Sequence, residues 1–390
     1  MVEELVAEPD EEAPDGTHVW FTVEKRGVST PAAARRIARA LGRRGGEVSF
    51  AGRKDAVAVT RQRMSAEHVE PEALLGLEVE GLRLSDPRRQ RRKLRPGELR
   101  GNRFTLTLRG VAAEALPRMR RGLERLEREG MPNLYGVQRF GEDGAGLETA
   151  RRLVFGPPLR YLEDLVNAAA PDRMEAAAEL LRRIEAGTAG ERRRAAELCP
   201  GLPPDLVPVA RQLARRRSDD PADLLAAVPR TARAFHLAIL QAAVFNDVLR
   251  RRMAEGSAAA AQEGDVVLRP DGRHGLVSHE RPAGGAVPCG PIWAPGLAGA
   301  RGRPGEVERA AFAAAGLSEE EPRRPGGLTP RGSRRPLVVR VGAPALVEAG
   351  AEPGGEEVAA RLSFDLPSGS YATALLDRLA DACLDPGGAG

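Results

Sequence analysis

The run Phe50-Ala51-Gly52-Arg53-Lys54-Asp55-Ala56-Val57-Ala58-Val59-Thr60-Arg61-Gln62 sets one carboxylic acid between two strand-forming stretches, with Thr60 and Gln62 following it. Residues 48–51 read as a short apolar strand stopped by Gly52, and residues 56–64 as a second strand alternating small apolar with polar side chains. Asp55 is thereby predicted on a tight loop. Arg53 and Lys54 beside it favour the ionised carboxylate, which suits a nucleophile or base at neutral pH. Taken alone, a charged turn of this kind is also what a solvated hairpin carries.

A second segment, Pro132-Asn133-Leu134-Tyr135-Gly136-Val137-Gln138-Arg139-Phe140-Gly141, gathers amides, two aromatics, an Arg and glycines outside any clean period. Aromatics make up only 4% of the chain and Tyr occurs three times, which gives their placement weight. Tyr135 reads either as a core residue or as a platform for an unstacked base, with Asn133 or Gln138 reading a base edge and Arg139 holding a phosphate. A third segment, Phe364-Asp365-Leu366-Pro367-Ser368-Gly369-Ser370-Tyr371-Ala372-Thr373, joins a strand to a helix that Ser370 is placed to cap.

Net charge is only +4, but cations are concentrated. Arg88, Arg89, Arg91, Arg92, Lys93, Arg95, Arg100 and Arg103 face a single acid, Glu98, in a stretch that Pro87, Pro96, Gly97 and Gly101 keep from forming a long helix. A basic loop leading into a strand is a phosphate-contact surface in pattern, and Arg323, Arg324, Arg331, Arg334 and Arg335 form a second such run. Nucleic acid is therefore the expected partner.

These residues need a scaffold. Residues 18–25 read as a strand, and Thr30 as the N-cap of a helix with Pro31 at its first position, ending before Gly42. Residues 104–109 alternate as a strand and residues 113–128 as a helix stopped at Gly130. The order is that of an α+β domain with helices on a sheet. Residues 156–227 turn Ala-, Leu-, Arg- and Glu-rich and should be helical, followed by an amphipathic helix over 235–253 and a Gly- and Pro-rich, loop- or β-rich region over 264–328. Strand signals return at 337–341 and 357–366, before a last helix after Ser370. At 390 residues the simplest arrangement is one α+β domain split by a large insertion.

Several functions are excluded. No apolar stretch approaches the roughly 20 residues of a bilayer span, so no membrane partner is expected. Cys199, Cys289 and Cys383 form no CxxC pair, which argues against a disulfide framework and for a reducing, cytoplasmic setting. Five residues separate Gly46 from Gly52, and Gly52-Arg53-Lys54-Asp55 lacks the hydroxyl of a phosphate-binding loop. His274, His279 and Cys289 lack the helical spacing of a metal hydrolase site.

Together the AGxKD element at Ala51 to Asp55, the RKLxxGxLxGNxF element at Arg92 to Phe104, the PNxxGxQRFG element at Pro132 to Gly141 and the FxLPxGSxAT element at Phe364 to Thr373 resemble, in order, the TruD family of tRNA pseudouridine synthases. Phe245-Asn246 resembles a further family element, whereas residues 156–229 match poorly. The resemblance implies a pseudouridine synthase catalytic fold, an antiparallel sheet with flanking helices, in residues 1–155 and 329–384. An inserted TRUD domain would occupy 156–328 and a disordered tail 385–390. It implies a tRNA partner, a uridine at position 13 of the D stem as substrate, no cofactor or metal, and a monomer.

By the same resemblance Asp55 is the catalytic aspartate, acting on the ribose or base or abstracting a sugar proton. Tyr135 stacks on the target base, Asn133 and Gly136 support it, and Lys54 sets the charge or position of Asp55. Arg91, Arg92, Lys93, Arg95, Arg100 and Arg139 are the expected RNA contacts. A non-catalytic RNA-binding protein using the same basic surface is the alternative. The resemblance departs at the start of the chain. Family members carry an N-terminal Lys and an Asp-Phe pair that have no counterpart before Met1-Val2-Glu3-Glu4-Leu5. That departure implies an upstream start by roughly 20 to 30 residues, an unpaired sheet edge, and Lys25 or Lys54 as the nearest replacements for the missing charge.

Overall fold

The computed structural model describes residues 1–6, 13–44, 46–141, 143–215, 220–317, 328–351 and 357–384. The expected tail at 385–390 and the basic residues Arg323 and Arg324 lie outside the described residues. The chain divides into two compact units, Met1–Asn133 with Val339–Gly390, and Leu134–Val338.

In the first unit β1 (Val2–Leu5), β2 (His18–Lys25), β3 (Val48–Phe50), β4 (Thr60–Glu67), β5 (Leu82–Gln90) and β6 (Gly101–Ala112) join the strands Gly342–Ala351 and Glu357–Pro367 in one sheet of eight strands. Its order is Gly342–Ala351, Glu357–Pro367, β6, β1, β4, β2, β5, with β3 added on β4. All pairings are antiparallel except β1 with β4, which run parallel at Val2↔Thr60 and Glu3↔Arg61. β1 lies between β4 and β6, pairing Val2 and Glu3 with Thr60 and Arg61 and Val2–Leu5 with Gly101–Phe104.

Alternation decides which side of the sheet is covered. Val19, Phe21 and Val23 of β2 and Met64 and Ala66 of β4 meet Ala33, Ala34 and Ile37 of α1 (Thr30–Ala40), and Leu74 of the short α2 (Pro71–Leu75) joins the same cluster. Burial of each of the larger side chains contributes about 1.5–3 kcal/mol. The intervening residues Thr22, Arg61 and Arg63 fall on the other side, in register with one another and with Glu3 and Arg103. Leu116 and Met119 of α3 (Leu116–Glu129) pack on Val358 and Ala360, and the helix Ala372–Leu384 lies against α3.

Three local expectations shift. Ser29, not Thr30, caps α1: its hydroxyl accepts from Ala32 N at 3.4 Å, so Thr30 becomes the first helical residue with its side chain turned inward. The strand expected from residue 56 begins only at Thr60, because residues 51–59 are drawn into a loop by side chains described below. The Gly- and Pro-rich stretch contains a helix, Gly302–Ala314, despite Gly302, Pro304 and Gly305 in its first turn, where proline lacks no needed donor.

The second unit has a helical cluster around Tyr161, Leu162, Leu180, Val209 and Leu224. Its long helix Arg230–Ala254 is buried along much of its length, and a four-stranded sheet runs in the order Ser333–Pro336, Val287–Ile292, Val266–Leu268, His274–Leu276. Residues on either side of the expected borders at 155 and 328 belong to this unit. The helix Ala145–Phe155 packs through Ala150 on Ile239, Leu240 and Val244, and Ser333–Pro336 pairs with Val287–Ile292. Among the described residues, no helix is long and apolar enough to cross a membrane.

Candidate active site

Asp55 stands on the loop between β3 and β4, and four buried side chains shape that loop. Thr30 Oγ1 accepts from Lys54 N at 2.8 Å and donates to Gln62 Oε1 at 2.8 Å. Gln62 Nε2 in turn donates to Gly52 O at 3.1 Å. Lys25 Nζ donates to Val28 O at 2.6 Å and to the main-chain oxygen of Asp55 at 3.0 Å. Lys54 Nζ meets Glu4 Oε1 at 2.8 Å, and Glu4 Oε2 accepts from Arg63 N at 3.1 Å. Gly52 passes so close to this pair that a Cβ there would lie 3.0 Å from both Glu4 Oε1 and Lys54 Nζ.

The consequence is an exposed carboxylate on an immobilised backbone. One oxygen of Asp55 accepts from Val57 N at 3.1 Å, which fixes the side-chain direction and leaves the remaining lone pairs facing solvent. The Lys54 side chain turns away from the Asp55 carboxylate. Its ammonium is committed to the buried Glu4, so it positions Asp55 through its own main-chain N–H rather than through its charge. The cation that senses Asp55 is Lys25: burial pushes its pKa down, the Asp55 carboxylate opposes that shift, and Lys54 adds to it. Lys25 is 1% exposed, a cost that a solvated turn would have no reason to carry.

The sequence singled out Gln62 but left Thr30 as a cap and Glu4 unnoticed. The signal for Glu4 was an acid in a short apolar strand at the chain start, and its partner is 50 residues away. On the outward side of the sheet a cavity of about 560 Å³ is lined by Glu3, Glu4, Arg61, Arg63, Arg100 and Arg103.

The basic run divides by partner. Arg88 and Arg89 belong to β5, and only the residues after Gln90 form the expected loop. Arg92 donates to both oxygens of Glu98 at 2.7 and 2.8 Å, lies 5.5 Å over the Trp20 ring, and its carbonyl accepts from Trp20 Nε1 at 2.8 Å. Arg103 is bidentate to Asp365 at 2.7 and 2.8 Å, and Arg91 reaches Asp15 only at 3.9 Å. Lys93, Arg95 and Arg100 are exposed and make no ion pair among the described residues.

Asn133, in the first unit, is buried and its Oδ1 accepts from Ser370 Oγ at 3.0 Å. Tyr135 and Gly136 belong to the second unit. Asn246 clasps the Tyr135 backbone from both sides, Oδ1 accepting from its N–H at 2.9 Å and Nδ2 donating to its carbonyl at 3.0 Å. The Tyr135 ring stands edge-on to Phe245 with centroids 5.7 Å apart, under the Arg335 guanidinium at 4.2 Å, and Arg139 lies 6.0 Å away. Tyr135 thus packs against the buried cluster around Phe245, with the Arg335 guanidinium beside its ring. The carbonyl of the buried Gly136 accepts from Arg139 N at 3.0 Å. Within the second basic run Arg334 is buried against Glu308, which removes it from any phosphate surface.

The sequence profile of tRNA pseudouridine synthase D (TruD) matches residues 1–379. The chain belongs to the TruD family of tRNA pseudouridine synthases. It is 37% identical over 371 residues to the tRNA pseudouridine synthase D of Geobacter metallireducens, covering 93% of this chain and 88% of that one. Against the corresponding protein of Geobacter sulfurreducens it is 34% identical over 372 residues, covering 93% and 87%. The fold is similar to the crystal structure of a TruD protein from Methanosarcina mazei, with a TM-score of 0.71 at 23% identity over 97% of this chain and 91% of that one. Membership makes the chain a pseudouridine synthase of α+β fold, and sets the immobilised acid loop in the context of an isomerase.

Proposed function

We propose that this chain converts uridine 13 in the D stem of tRNA to pseudouridine, with Asp55 as the catalytic carboxylate. The supporting observation is the loop itself, whose backbone is held by Lys25, Thr30 and Gln62 while the carboxylate is left at the surface. Reaction geometry held in advance in this way lowers the barrier without reorganisation at the moment of chemistry. The glycosidic bond from C1′ to N1 breaks, the uracil turns, a bond from C1′ to C5 forms, C5 releases its proton and N1 gains one. The atoms balance without any cofactor, and an ionised carboxylate is available as nucleophile or base for the sugar or the uracil.

Lys93, Arg95 and Arg100 present unpaired charge to the phosphates, with Arg91, Arg92 and Arg139 as further contacts. Tyr135 stacks with the displaced nucleotide, supported by Gly136, whose carbonyl accepts from Arg139 N; Lys54 holds the Asp55 loop through its main-chain N–H, and Asn133 acts in support through its bond from Ser370. The catalytic domain comprises residues 1–155 and 329–384 and the insertion 156–328, with residues 134–155 and 329–338 packing in the same compact unit as the insertion, and the enzyme acts as a cytoplasmic monomer.

The test is tritium release from C5 of labelled uridine in tRNA. Wild type releases tritium and generates pseudouridine at position 13, and Asp55→Asn binds tRNA normally with turnover reduced by at least about 100-fold. Binding without tritium release by the wild type would instead make the chain a non-catalytic RNA-binding protein. Near-wild-type turnover of Asp55→Asn would remove Asp55 from its role.

A further inference from the structure

The second unit contains a cavity of about 730 Å³ that no part of the proposed chemistry uses, and we propose that it binds an unstacked nucleobase of the RNA substrate. The inference rests on the reading of the chain as a tRNA-modifying enzyme. Leu165, Ala169 and Leu206 give the cavity aliphatic walls, and Phe235 and His236, from the start of the helix Arg230–Ala254, give it aromatic ones. Its volume falls in the range of small-ligand sites and exceeds what one base needs, leaving room for part of the ribose.

Phe235 is 52% exposed, an unusual position for a large aromatic in a chain with so few. The Arg139 guanidinium lies over its ring at 5.4 Å, and Arg139 Nε is buried with no hydrogen-bond partner. An aromatic ring next to a guanidinium is the pairing that single-stranded nucleic acid uses, the ring stacking on a base and the cation serving the neighbouring phosphate.

The polar groups complete the chemistry. His236 Nδ1 is engaged by Tyr161 Oη at 2.9 Å, which orients the imidazole and leaves Nε2 outside any hydrogen bond among the described residues. Either tautomer leaves that nitrogen able to meet a base edge as donor or acceptor. Asp205, also lining the cavity, supplies an exposed acceptor for an exocyclic amine or ring N–H, and Arg173 adds a cation. A purely apolar ligand would use none of these groups, whereas a base uses a stacking face, a two-sided edge and nearby phosphate charge together.

The experiment measures binding of an unmodified tRNA transcript at one fixed salt concentration. Phe235→Leu, which keeps apolar volume but loses the π-face, and Phe235→Ala should each weaken binding about tenfold, whereas Phe235→Trp should restore it. Ala169→Trp, which fills the cavity while leaving Phe235 in place, should weaken binding to a similar extent. Photocrosslinking with transcripts containing 4-thiouridine should label residues 230–236 in the wild type and lose that label in Ala169→Trp. Unchanged affinity in Phe235→Leu and Ala169→Trp would overturn the proposal. So would loss of self-association in those variants at unchanged tRNA affinity, which would make the face a contact between copies. Both readouts are independent of turnover, so a wild type that failed to form pseudouridine would count against the proposed function and not against this cavity.

Discussion

Lys25 Nζ donates to the main-chain oxygen of Asp55 at 3.0 Å, so a buried ammonium holds the backbone of the acid and leaves the carboxylate to solvent. A direct ion pair would have occupied the carboxylate oxygens that the proposed chemistry uses. Supporting the loop from below combines a nearby positive charge with an accessible acid.

Lys25→Met should therefore lower both stability and turnover. The carbonyls of Val28 and Asp55 lose their donor, at about 1–3 kcal/mol for each group left unsatisfied. The pH dependence has a definite sign. Burial places the folded-state pKa of Lys25 below the usual 10.5, so between these two values the unfolded chain binds more protons and stability rises with pH. Thermal melting across the alkaline range should show this rise in wild type and its absence in Lys25→Met.

Glu4 and Lys54 form an ion pair whose side chains are 0% and 5% exposed. Glu4→Gln strands the Lys54 charge and should cost about 3 kcal/mol. Glu4→Gln combined with Lys54→Met removes the stranded charge and should recover part of that loss. Denaturant unfolding of the two singles and the double measures the coupling, and strict additivity would contradict it.

Replacing Lys93, Arg95 and Arg100 together by Gln should weaken binding to all tRNAs alike and reduce the salt slope by up to about three. These residues are a cleaner choice than Arg92, whose loss also strips Glu98 and the Trp20 ring of a partner. An unchanged slope at full affinity would mark them as ordinary surface.

His236 sets an acid limit on stability. Burial lowers its pKa below 6.5, with Asp205 opposing, so below 6.5 the unfolded chain binds more protons and stability falls with pH until the folded-state value is passed. Burial shifts His18 of the first unit in the same direction. In melting curves from about pH 5 to about pH 8, His236→Gln should flatten part of this loss and leave the His18 contribution.

Local pattern alone made much of this protein legible. The strand over 18–25, the alternation of β6, the helix beginning near Pro31, the stop at Gly130 and the strand over 357–366 follow from side-chain period and turn chemistry, which act over a few residues. The acid loop and its motif context were equally readable, and they carried the family. What the sequence left undetermined depended on distant partners. Thr30 reads as a cap because Ser, Thr and Pro cluster there, and only the placement of α1 beside Lys54 and Gln62 turns its hydroxyl inward. Lys54 reads as the charge beside Asp55, yet Glu4 lies 50 residues away in sequence and 2.8 Å away in space. A strand from residue 56 is favoured by composition, but Lys25 and Gln62 draw residues 51–59 out of the sheet. Periodicity records which face of an element is apolar; which polar group meets which across the sheet is decided by register and packing, and both exist only in the folded chain.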